Sequence, residues 1–81
     1  MRTFAAKPNG EDDLYSPVPG RIAETPSLRH LANIIAHDFR RCGAELFWRE
    51  HGEGEWRKAD GESSRIFGEY LDFEFRRQET S

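Results

Sequence analysis

Histidine is the usual metal ligand and general base of proteins, and this chain has three, His30, His37 and His51. His30 and His37 stand seven residues apart in a stretch of helical periodicity, which separates them by about 10 Å along a helix axis. Zinc holds its nitrogen ligands at about 2.0–2.1 Å, so the pair does not share one ion. His51 has neither a cysteine nor a second histidine near it in sequence. No metal site is expected. Cys42 is the single cysteine and lies five residues from His37, a spacing that points the two to different sides of a helix. Its place is on an apolar stripe, where a free cysteine acts as a small hydrophobe. Carboxylates are plentiful at Glu50, Glu53, Glu55, Asp60 and Glu62. Acid–base work needs two of them in a cleft with separated pKa values, and the sequence marks no cleft. Gly52, Gly54 and Gly61 fall in turns, not in a strand-to-helix phosphate loop. Neither catalysis nor a cofactor is expected.

The same region holds a different kind of signal. Trp48-Arg49 and Trp56-Arg57 repeat a Trp-Arg dipeptide on what read as neighbouring strands. Adjacent strand residues point to opposite faces, so not all four side chains can be buried. Tryptophan and arginine dominate binding hot spots, and both stack on bases in single-stranded nucleic-acid binders. A purely structural arrangement would bury one indole and lay arginine stems over the other. The candidate partner-binding set is Trp48, Arg49, Glu50, Glu53, Glu55, Trp56, Arg57, Asp60 and Glu62.

These residues must be held by a small scaffold. The chain has 81 residues and a net charge of −3, with a third of its residues charged. One domain over residues 1–81 is expected. No stretch approaches the ~18 apolar residues of a membrane span, and one cysteine excludes a disulfide framework. The opening MRTFAAKPNGEDD lacks the apolar core of a secretory signal. With a lone thiol that suits a reducing interior, a cytoplasmic location is expected. Ten aromatic residues supply the bulk of a core.

Residues 2–6 read as a short strand. Residues 7–26 contain all four prolines and read as an extended segment, pinned through Leu14, Tyr15, Val18 and Ile22. A helix follows, with Thr25 as cap, Pro26 in its first turn and Gly43 ending it. Leu28, Leu31, Ile35, Phe39 and Cys42 share one face of this helix. Its other face carries Arg29, His30, Asn33, His37, Arg40 and Arg41. After Gly43 the period becomes two. Residues 44–51 and 55–59 read as a hairpin with its turn at 52–54. Residues 66–77 place Phe67, Leu71, Phe73 and Phe75 on one strand face. A helix through Phe67, Leu71 and Phe75 also fits, but aromatic content and alternation favour the strand. The expected fold is α+β, one amphipathic helix on an antiparallel sheet of three or four strands.

Charge separates the possible partners. Residues 1–42 carry a net +1 and residues 43–81 a net −4. Nucleic-acid binders show a basic footprint, whereas here the aromatic hairpin lies in the acidic half. Direct nucleic-acid binding, through Arg29, His30, Arg40 and Arg41, is therefore the alternative. An acidic, aromatic patch suits a basic protein surface instead. Ten arginines against two lysines match a GC-rich bacterial or phage composition. In length, acidity, α+β pattern, arginine bias and lack of catalytic motif, the chain resembles the small phage-encoded anti-CRISPR inhibitors. A non-enzymatic protein, monomeric or homodimeric, is expected, and the resemblance implies one that binds a CRISPR effector complex. It would block the nucleic-acid-binding surface of a CRISPR effector, by shape or by mimicry.

Overall fold

The computed structural model of the chain describes residues 1–39 and 42–80. The chain runs β1 (Arg2–Pro8), α1 (Leu28–Asp38), β2 (Ala44–Glu50), β3 (Arg57–Lys58) and α2 (Glu62–Thr80). The three strands form one antiparallel sheet in the order β1-β2-β3, and the fold is α+β as expected. β1 and β2 pair from Arg2↔Glu50 to Pro8↔Ala44. Proline has no N–H to give the ladder, and Pro8 closes it. Phe4, Ala6, Leu46 and Trp48 share the sheet face beneath the helices. Thr3, Ala5, Lys7, Glu45, Phe47 and Arg49 share the other.

The proline-rich segment runs beside β1. Phe4 and Thr25 exchange backbone hydrogen bonds at 2.8 and 3.0 Å. Tyr15 N–H donates to Ala6 O at 2.8 Å, and Ala23 N–H to Tyr15 O at 3.0 Å. The outer edge of β1 is thus partly covered, which removes a template for edge-to-edge pairing. Tyr15 packs edge-on against Phe39, with ring centroids 5.1 Å apart, and its hydroxyl donates to Asp38. Tyr15 and Ala23 pin the segment. Val18 and Ile22, expected to help, are exposed.

α1 is shorter than its pattern suggested. Ser27, not Thr25, is the cap, and its Oγ accepts from His30 N–H at 3.2 Å. Thr25 pairs through its backbone with Phe4 of β1, and its Oγ1 accepts from Ser27 N–H at 3.2 Å, ahead of the helix. The helix ends at Asp38 with Phe39 extended, not at Gly43. Gly43 lies beyond the helix, where its carbonyl accepts from Asn9 N–H at 2.8 Å. Cys42 therefore lies beyond the helix instead of completing its stripe.

The largest departure is at the C-terminal end. Residues 66–77 do not add a strand; they lie within the 19-residue helix α2. The segment satisfies both periods. Phe67, Leu71 and Phe75 are four apart, and all three are buried. Arg65 pairs with Glu69 at 2.8 Å one turn on, a contact that a helix makes and a strand does not. α2 packs mainly against α1 and reaches the sheet at β2. The second helix completes a two-layer core in which Leu31, Ile35, Leu46 and Phe67 are 0–2% exposed. Across the helix pair, Gln78 Nε2 donates to Ala36 O.

Candidate functional site

Strand alternation divides the two Trp-Arg dipeptides between the sheet faces. Trp48 stands opposite Phe4 on one side and Arg57 on the other. Its ring packs against the core and is partly buried. The Arg2 guanidinium lies 4.1 Å from its centroid and that of Arg57 5.6 Å, distances at which cation–π attraction acts. Arg2 also pairs with Glu50 at 3.6 Å, its register partner on the strand.

On the opposite face, Arg49 organises the loop between β2 and β3. Its Nε and Nη2 donate to the two carboxylate oxygens of Glu24 at 2.7 and 2.6 Å, a bidentate grip. Its Nη1 donates to Gly54 O at 3.2 Å, and the guanidinium lies 4.4 Å from the Trp56 centroid. Thr3 Oγ1 donates to the same Glu24 carboxylate. The loop itself turns through left-handed backbone at His51, Gly52 and Gly54, a conformation that glycine adopts without steric cost. Arg49 thus ties three separate pieces of chain together.

The Arg49 hydrogen bonds, against the opposing effect of desolvation, hold the Glu24 carboxyl below its ordinary value of 4.5. Since the folded-state pKa is lowered, the pair stabilises the fold fully above the unfolded value. That contribution fades as pH falls through the folded value. Thermal melts from about pH 6 to about pH 3 check this. Wild type is expected to lose more stability than Glu24→Gln over this range, and the two should converge at the acid end.

A groove of about 470 Å³ opens beside this arrangement, lined by Trp48, Arg49, Glu50, Glu53, Gly54, Glu55 and Arg57. Six of the nine residues predicted to bind a partner therefore meet in one place. Glu53 and Glu55 are exposed on its rim. Trp56 goes to the other face with Arg49. Asp60 and Glu62 lead into α2 instead, and Glu62 meets Arg65 at 3.8 Å. Sequence reasoning missed Arg2 and Glu24. Both come from distant segments, and the antiparallel register that brings Arg2 to Glu50 carries no local signal.

The predicted nucleic-acid face divides as well. Arg29 and His30 line a groove of about 330 Å³ between the helices with Ser27, Asn33, Glu74 and Arg77. Its Glu74 is buried, accepts from Asn33 Nδ2 at 3.3 Å and pairs with Arg77 at 3.8 Å. A carboxylate in this position opposes phosphate. Arg40 and Arg41 lie outside the described residues. Among the described residues no group of three or more His, Cys, Asp or Glu side chains could hold a metal ion. No helix among them is long and apolar enough to cross a membrane.

Cys42 lines a third groove with Phe67, Leu71 and Phe75. Burial pushes its thiol above the ordinary 9.0, and the protonated thiol is a poor nucleophile. Alkylation by iodoacetamide is accordingly expected to be slow at neutral pH and to accelerate in alkali. A rate at pH 7 like that of a low-pKa thiol would contradict this placement. Comparison with known proteins returns no family model, no curated protein and no solved structure that matches the chain.

Proposed function

We propose that this chain is a binding domain that presents its Trp48 groove to another macromolecule and carries out no chemistry itself. The supporting observation is the groove, in which the partly buried Trp48 indole, Arg57 and the carboxylates Glu50, Glu53 and Glu55 converge. Arg57 and the indole supply hot-spot surface. Glu24 neutralises Arg49 and Arg2 pairs with Glu50, leaving Glu53 and Glu55 to set the sign of the rim. That rim fits a basic protein surface.

The class is a small α+β inhibitor or regulator. The particular reading is an anti-CRISPR protein, acting in the bacterial cytoplasm, that occupies the basic channel of a CRISPR effector where nucleic acid would lie. It is supported by the acidic groove together with the resemblance in size and composition. The modest net charge and the mixed lining favour blocking by shape over extended mimicry of a phosphate backbone. Titrating purified CRISPR effector complexes with this protein tests the reading. Saturable binding that excludes target DNA is expected, and unimpaired DNA binding at saturating protein would overturn it.

A further inference from the structure

A fourth groove, of about 300 Å³, lies between the proline-rich segment and α1, with Val18, Arg21, Ile22, Glu24, His30 and Ile34 in its lining. It shares no residue with the Trp48 groove. Glu24 lines the one and Arg49 the other, so their ion pair stands between the two.

One wall is a preformed turn. Pro19 fixes its own φ, Gly20 takes φ +81°, and Arg21 N–H donates to Val18 O at 3.0 Å, which makes a type II turn. The Ser16 hydroxyl braces it by donating to the carbonyl oxygens of Val18 and Arg21. The turn holds Val18 at 51% and Ile22 at 43% exposure. The other wall is α1, where His30 and Ile34 stand one turn apart. Walls ordered beforehand lose little entropy when a ligand arrives.

The charges give this groove the opposite sign to the Trp48 rim. Its acid, Glu24, is already held by Arg49 and Thr3. Among the described residues, the Arg21 guanidinium and the His30 ring have no ion pair and no hydrogen bond. The first turn of α1 carries no acidic residue, so no carboxylate in that turn offsets the positive end of the helix dipole. Unspent donors beside exposed aliphatic carbon suit a ligand that joins a carboxylate to an apolar group. A phosphate backbone would leave Val18 and Ile22 uncovered, and the described lining has no aromatic ring on which bases could stack. The chain's net charge of −3 opposes an anionic membrane surface.

We propose that this groove binds an extended acidic and hydrophobic peptide segment of another protein. A carboxylate side chain meets Arg21 and His30, and an aliphatic side chain two positions along covers Val18, Ile22 and Ile34. Residues two apart on an extended chain face the same side, so one short segment fills both halves of the groove.

The test is a titration of the isotope-labelled protein, followed by its backbone amide resonances, with the blocked peptide Gly-Glu-Ser-Leu-Ser-Gly. Two control peptides carry Lys in place of Glu, or Ser in place of Leu. The Glu–Leu peptide is expected to shift the amides of Arg21, Ile22, His30 and Ile34 saturably, with a dissociation constant on the order of 1 mM. Both controls should bind more weakly. Arg21→Glu is expected to weaken the Glu–Leu peptide by roughly tenfold and to favour the Lys peptide instead. Val18→Ser should weaken it without reversing the charge preference, and Glu53→Lys should leave it unchanged. The same spectra check that each variant stays folded. Absence of shifts in the groove, equal binding of the Glu and Lys peptides, or indifference to Arg21→Glu would overturn the proposal. So would groove amides that move with protein concentration before any peptide is added, since a second copy would then be the occupant. None of these outcomes bears on the Trp48 groove.

Discussion

Truncating Phe67 to alanine is expected to cost this domain about 3–5 kcal/mol, while Phe73→Ala shifts its stability by no more than about 0.5 kcal/mol. Phe67 is 2% exposed and packs in the core formed by the two helices and the sheet. Removing its ring leaves a cavity that this small structure has few ways to fill. A domain of this size has a total stability of about 4–12 kcal/mol, so the loss consumes a large part of it. Phe73 is half exposed, and its truncation leaves no cavity. The comparison also separates a helix from a strand over residues 66–77. On a strand, Phe73 and Phe75 would share the buried face, and their truncations would cost alike. Urea denaturation of Phe67→Ala, Phe73→Ala and Phe75→Ala at low protein concentration decides it. Equal losses at positions 73 and 75 would contradict the helix.

The second large effect falls on binding. Reversing both rim charges, Glu53→Lys with Glu55→Lys, is expected to weaken association with a basic protein partner by roughly 10–100-fold. Folding stability should stay within about 0.5 kcal/mol of wild type, because both side chains are exposed. Arg29→Glu, on the groove between the helices, should leave the same association unchanged. The reverse pattern, with Arg29→Glu abolishing binding and the rim variant neutral, would move the interface to the helices. A steep salt dependence of binding to free DNA or RNA would accompany it.

Much of this architecture is legible from residue types and spacing. Leu28, Leu31 and Ile35 mark α1 by their three- and four-residue intervals, and the alternation through Leu46 and Trp48 marks β2. The grouping of Trp48, Glu50, Glu53, Glu55 and Arg57 was also visible, since a tight connection between adjacent strands brings them together whatever the details of register. Two kinds of information were not legible. In residues 66–77 the apolar positions fit a period of two and a period of four together, and aromatic content tipped the reading toward a strand. Local pattern does not register that the sheet and α1 together need a second helix to close the core. The other kind is long-range. Thr25 and Ser27 are both competent caps, and the choice falls to Ser27, while Thr25 pairs through its backbone with Phe4 of β1 and its Oγ1 accepts from Ser27 N–H. Glu24 looks like any charged loop residue, yet it receives the bidentate grip of Arg49, 25 positions away. That contact decides that Arg49 shapes the loop, while Arg57 lies over the Trp48 indole and both arginines line the groove.

The most direct measurement is competition for one surface. A purified CRISPR effector is mixed with labelled target DNA, then titrated with wild type and with the doubly charge-reversed rim variant. Occupation of the effector's channel by the Trp48 groove predicts that wild type displaces the DNA to completion and the variant does so poorly. Equal displacement by both proteins, or retention of the DNA under saturating wild type, would contradict it.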